Sequence, residues 1–110
     1  MRNINTLKNT SQFQEVYEKG SSIANRLMVM YILKSEGPTQ IGFSVSKKVG
    51  NSIIRHRTVR LLRESYLKSK DMIPEGLKIV VIARTQIKGK GQAEVDEAFS
   101  YLLKKHGIMQ

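Results

Sequence analysis

The stretch Lys47-Lys48-Val49-Gly50-Asn51-Ser52-Ile53-Ile54-Arg55-His56-Arg57-Thr58-Val59-Arg60-Leu61-Leu62-Arg63 sets the main helix and holds most of the arginine in the chain. Gly50-Asn51 is a turn signal, and Asn51 or Ser52 can cap the helix that follows. Ile54, Thr58, Leu61, Leu62 and Ser65 then recur at helical spacing on one face, which predicts a core stripe. His56, Arg60 and Arg63 fall at i, i+4 and i+7 on the opposite side, with Arg57 beside them and Arg55 at the other margin. Leu67 falls on the basic side, which predicts a bend or an end of the helix near it. A solvated helix face usually mixes signs for i,i+4 pairing. Here Glu64 is the only acid nearby, and all four fixed charges are arginine in a chain that otherwise favours lysine. Guanidinium donates two parallel hydrogen bonds to phosphate, so the stripe points to a polyanion more than to a plain solvated surface.

Working outward, Ser11 and Gln14 have the spacing of a capping box, and Phe13, Val16 and Tyr17 share one face of the short helix that would follow, with Gly20 as its stop. Residues 23–33 read as one strand, with Met28, Met30 and Ile32 on one face and Val29, Tyr31 and Leu33 on the other. Glu36-Gly37-Pro38-Thr39 is a turn, and a second strand is predicted over 40–46. Its Ile41, Phe43 and Val45 belong to the core. Its Gly42, Ser44 and Ser46 form a face of small residues that lets a backbone or a flat group come close. Beyond the main helix, 71–76 reads as a loop. The apolar run Leu77 to Ala83 reads as a buried central strand, and 84–92 as a flexible basic loop. A last helix is predicted over 92–106, with Val95, Phe99 and Leu102 inward. Its acids lead and its cations trail, which complements the helix dipole, and Gly107 follows as the C′ residue. The order α-β-β-α-β-α predicts an α+β protein, a two-layer sandwich of helices on a mixed sheet.

The 110 residues predict one RNA-binding domain, 1–110, with 1–9 as a basic, partly ordered arm. Net charge is +10 and the sequence pI about 10.1, a balance that draws phosphates and anionic surfaces. Absence of cysteine excludes disulfides and thiol chemistry and fits a cytoplasmic protein. The start has no apolar core of a signal peptide, and no apolar run approaches a membrane span.

Catalytic chemistry has little support in the side chains. His56 and His106 stand in no metal-ligand spacing with carboxylates, and Glu94, Asp96 and Glu97 read first as charge at a helix start. Phe13, Tyr17 and Tyr31 read as core or as a stacking platform that accepts any base. Spacing alone does not choose between the two.

Lys47-Lys48-Val49-Gly50-Asn51, followed by Arg55-His56-Arg57, Arg60, Leu61 and Arg63-Glu64, closely resembles the signature of the bacterial ribonuclease P protein subunit. The resemblance extends over nearly the whole chain, through Phe13, Tyr17 and Gly20, the strand at Tyr31, Phe43 to Ser46, and Ile79 to Arg84. Two positions depart from it: His56 stands where the family usually has Asn, and Val59 where it often has Lys. The resemblance implies a left-handed β-α-β crossover between Gly42 and Ala83, against the usual right-handed rule. It further implies a non-catalytic protein component of a tRNA-processing endoribonuclease, whose catalytic RNA holds the active site and binds Mg2+. No metal or catalytic residue is implied in the protein itself. By position, Lys47, Lys48, Asn51, Arg55, His56, Arg57, Arg60 and Arg63 would bind RNA. Phe13, Tyr17, Tyr31 and Ser44 would line a cleft for the 5′ leader of precursor tRNA. A ribosomal or general RNA-binding structural protein is the alternative, and a protein-only nuclease a more remote one.

Overall fold

The computed structural model describes residues 4–108, so the first three residues of the expected arm lie outside the described residues. Helices α1 (Thr10–Lys19), α2 (Ser52–Ser69) and α3 (Gln92–Lys105) pack on a sheet of β1 (Ser21–Ala24), β2 (Met28–Lys34), β3 (Gln40–Ser44) and β4 (Leu77–Ala83). The strands lie in the order β1-β2-β4-β3. β1 and β2 are antiparallel, as are β2 and β4, while β3 runs parallel to β4 and is joined to it through α2. This is the α+β arrangement and mixed sheet that the sequence predicts. β4 takes the central place, buried along nearly its whole length, as its near-continuous apolar run requires.

Alternation divides the sheet cleanly. Met28, Met30, Ile32, Ile41, Ile79 and Val81 enter one core with Leu62, Tyr66, Phe99 and Leu102 of α2 and α3. On the opposite face Tyr31, Leu33, Val80 and Ile82 meet Phe13, Val16 and Tyr17 of α1, with Leu7. Helix α1 covers only part of that face, and so forms a partial third layer.

Several elements differ from their sequence reading. The single strand over 23–33 is a hairpin, because Asn25 makes the turn: its side-chain oxygen accepts from the backbone N–H groups of Leu27 and Met28, both at 3.1 Å. The first capping box sits two residues earlier than predicted. Asn9 accepts from the Gln12 N–H at 3.0 Å, and Gln12 accepts from the Asn9 N–H at 3.2 Å. β3 ends at Ser44 rather than Ser46. α2 passes Leu67, which is half-buried, and runs on to Ser69. α3 stops one residue short of His106, whose ring nitrogen lies 2.9 Å from the Met30 carbonyl oxygen. The basic loop after β4 contains a short 3-10 turn, Thr85–Ile87, that buries Ile87. Within the described part of the arm, Leu7 donates to the Ile41 carbonyl at 3.0 Å and Ile41 to the Asn5 carbonyl at 2.9 Å, so residues 5–7 continue the sheet beyond β3. Leu7 is buried there.

A polar knot ties α2 to α3. Asp96 accepts from Ser65 Oγ at 2.6 Å, Lys68 Nζ at 2.6 Å and Gln92 Nε2 at 2.8 Å, and Gln92 also donates to the Leu61 carbonyl at 2.9 Å. Burial pushes the Asp96 carboxyl up, but hydrogen bonds from Lys68, Ser65 and Gln92 outweigh it and hold the group below its ordinary value of 3.8. The stability this adds is fully present above pH 3.8 and is lost as pH falls through the lower value of the folded state. Asp96→Ala should cost about 1–3 kcal/mol near neutral pH by orphaning the Ser65 and Gln92 donors. Urea denaturation of both proteins across the acid range checks this: the gap should narrow as pH falls below 3.8 and through the folded-state value, leaving the part due to the orphaned donors.

Candidate nucleic-acid interface

Asn51 caps α2 by accepting from the Ile54 N–H at 3.0 Å, which orients its side-chain oxygen into the helix start and leaves its amide N–H groups as donors. The helix then buries Thr58, Leu62, Ser65 and Tyr66, which fixes what faces outward. His56, Arg57, Arg60 and Arg63 are all exposed, as are Lys47 and Lys48 in the turn before the helix. Arg57 Nη1 donates to the Lys90 carbonyl at 3.2 Å, which links the helix to the loop before α3. Arg55 differs from the other arginines. It is half-buried, and its Nε is sealed from solvent with no hydrogen-bond partner among the described residues. The residue at the margin of the wheel is therefore the least available of the four α2 arginines.

The second group gathers on the α1 side of the sheet. Cross-strand register places Tyr31, Val80 and Gly42 in one row and Val29, Ile82 and Ser44 in the next. Tyr17 reaches down from α1 onto Tyr31, edge to face, with ring centroids 5.1 Å apart and planes at 68°. Its hydroxyl is hydrogen-bonded to Ser44. Burial raises the Tyr17 pKa above its ordinary 10.0 and this bond only partly offsets the rise, so the hydroxyl keeps its proton at neutral pH. Phe13, Tyr17, Tyr31 and Ser44 thus share one site. The small face of β3 is not wholly open, however. A Cβ at Gly42 would lie 2.5 Å from Phe13 Cζ, so the Phe13 ring fills the space above that glycine. What stays open is the next row, where Val29 and Ile82 are half-buried. Both were missed in the sequence because they read as ordinary strand residues. Only strand register, which a single sequence does not reveal, sets them beside Ser44.

From Ser44 the chain leads directly through Lys47 and Lys48 to the cap of α2. Residues 45–51 therefore join the strand that edges the aromatic cleft to the cap of the basic helix. Among the described residues, no group of three or more His, Cys, Asp or Glu side chains is placed to hold a metal ion, and no helix is long and apolar enough to cross a membrane.

A family model described as Ribonuclease P matches residues 1–107. The chain belongs to the ribonuclease P protein family. Curated relatives agree. The ribonuclease P protein component of Lachnoclostridium phytofermentans is 48% identical over 105 residues, covering 94% of this chain and 90% of the relative. That of Alkaliphilus oremlandii is 39% identical over 110 residues, covering 99% and 96%. Among solved structures, the Staphylococcus aureus RNase P protein superposes with a TM-score of 0.89 at 31% identity, over 98% of this chain and all of that one. The Thermotoga maritima protein gives 0.83 at 27% identity, over 92% and 96%. Membership of the ribonuclease P family thus accords with a basic helix set on a mixed sheet.

Proposed function

We propose that this ribonuclease P protein binds the catalytic RNA of a bacterial ribonuclease P through the outer face of α2, and the 5′ leader of precursor tRNA through the cleft between α1 and the sheet. The observation that carries the reading is the short link between the two: residues 45–51, with Lys47 and Lys48 exposed, join Ser44 of the cleft to the cap of the arginine-bearing helix. Lys47, Lys48, Arg57, Arg60 and Arg63 meet phosphates, and His56 can donate to a phosphate or a base where the family has Asn. Arg55 and Asn51 act mainly through the shape of the helix start. Tyr17, Tyr31 and Ser44, with Val29 and Ile82 beside them, accept an extended single strand, and Phe13 supports that floor from above Gly42. An aromatic and small-residue surface accepts bases of any identity, which suits leaders of differing sequence.

The protein supplies no catalytic side chain in this reading. Magnesium held by RNA oxygens would activate the water that cleaves the phosphodiester. The polypeptide holds the substrate and screens phosphate repulsion between the two RNAs. The test is cleavage of precursor tRNA at low magnesium by a bacterial ribonuclease P RNA, with and without the protein. Accurate 5′ cleavage restored by a protein that is inert alone supports the proposal. Failure to bind that RNA would return the chain to a general RNA-binding role, and cleavage by the protein alone would make it a nuclease.

Tyr31→Ala should weaken precursor tRNA binding by the holoenzyme about 5- to 150-fold, the worth of one stacked base, and leave mature tRNA binding nearly unchanged. Equal losses for the two RNAs would remove the leader cleft.

A further inference from the structure

A groove of about 370 Å3 lies between the β1–β2 turn and the first half of α3. Leu27 and Ala98 line it as an apolar floor, and Arg26, Lys90, Glu94, Glu97 and Tyr101 stand around it, with Lys90 Nζ paired to Glu94 at 3.6 Å. The turn that forms one wall is held rigidly: Asn25 Nδ2 donates to the Ala98 carbonyl at 3.0 Å, and Arg84 Nη1 to the Asn25 carbonyl at 3.0 Å. Tyr101 is 49% exposed, with Lys105 Nζ 5.6 Å from its ring centroid. Arg26 and Glu97 have no side-chain partner among the described residues, although both line the groove. A flat aromatic wall, a free carboxylate and a free guanidinium around an apolar floor make a site with a small number of convergent polar groups.

We infer that, given the RNA partnership proposed above, this groove holds an unpaired guanine nucleotide of that RNA. Guanine is the common base whose Watson–Crick edge presents two adjacent N–H donors, and a carboxylate accepts both together. Adenine and cytosine put a ring-nitrogen acceptor at that edge, which a carboxylate repels. Uracil offers one donor between two carbonyl oxygens. Glu97 therefore reads the base, Tyr101 stacks on it, and Arg26 takes its phosphate, while Lys90 stays paired with Glu94. The groove also adjoins the basic helix, because the Lys90 carbonyl accepts from Arg57.

Titration of the full chain with GMP and with AMP, followed by amide chemical shifts, tests this. GMP should shift Leu27, Ala98 and Tyr101 and bind at least about tenfold more tightly than AMP, and Glu97→Gln should abolish that preference. Tyr101→Ala, at an exposed position, should weaken both nucleotides alike. Equal affinity for the two, or GMP shifts confined to residues 55–63, overturns the assignment. With the catalytic RNA, Glu97→Gln should weaken binding without changing its salt slope, since no phosphate contact is lost. A wild-type chain that binds that RNA but shows no GMP preference rejects the groove alone. A GMP preference in a chain that does not bind that RNA keeps the groove and rejects the RNA partnership.

Discussion

Replacing Arg57, Arg60 and Arg63 together by alanine is expected to flatten the salt dependence of catalytic-RNA binding by about two to three units of slope. Each lost phosphate contact removes roughly 0.7 to 0.9 of a unit, the lower figure applying to single strands. Raising salt fourfold should then cost the wild type roughly 20- to 40-fold more affinity than it costs the variant. The fold should survive, because all three side chains are exposed and stand outside the core, Arg57 giving up its 3.2 Å contact with the Lys90 carbonyl. Urea midpoints within error of the wild type would establish that. An unchanged slope with a folded variant would move the RNA surface off α2. Arg55→Ala should differ in kind: its buried Nε gives it a part in packing, so its loss should alter stability more and salt slope less.

The same contrast shows what sequence periodicity can and cannot reveal. The core stripe of α2 is legible because apolar residues at 3.6 spacing have one physical use, and the helix buries Thr58, Leu62 and Ser65 as expected. β4 is legible because six apolar residues in a run of seven, broken only by Lys78, demand burial on both faces. The β1–β2 hairpin is not, since its turn rests on an asparagine side chain and lacks the glycine or proline that usually marks one. Tyr66 escapes notice for a similar reason: it continues the core stripe past Ser65, but a tyrosine invites an exposed reading. Asp96 looks like helix-start charge until tertiary packing brings Ser65 and Lys68 against it.

The candidate site divides along the same line. The arginines of α2 can be placed from local spacing, because one helix carries them all. The cleft cannot, because it is assembled from α1, β2, β3 and β4, and only register reveals that Tyr31 stands across Val80 from Gly42. The family resemblance named Phe13, Tyr17, Tyr31 and Ser44 as neighbours, and the sheet shows how they meet. It also adds the glycine on which Phe13 rests.

That glycine carries the second large effect. Gly42→Val is expected to lower stability by about 1–3 kcal/mol, as overpacking does in a filled site, and the melting temperature by about 4–8 °C per kcal/mol for a domain of this size. A Cβ there would meet Phe13 Cζ at 2.5 Å and Leu7 Cδ1 at 3.2 Å. Both neighbours are pinned, Phe13 by α1 and Leu7 by its backbone bond to Ile41 at 3.0 Å, so the helix must lift rather than a loose side chain turn aside. Lifting α1 carries Tyr17 away from Tyr31 and Ser44, so preference for precursor over mature tRNA should fall with stability. Phe13→Ala in the same chain vacates the ring's space and should restore part of the stability, a coupling between contacting residues that simple addition does not predict. It should not restore the precursor preference if Phe13 supports the strand-binding floor. Thermal melts of the two single variants and the double variant, alongside holoenzyme binding to the two tRNAs, separate packing from recognition. Recovery of both properties in the double variant would reduce Phe13 to a filler above Gly42.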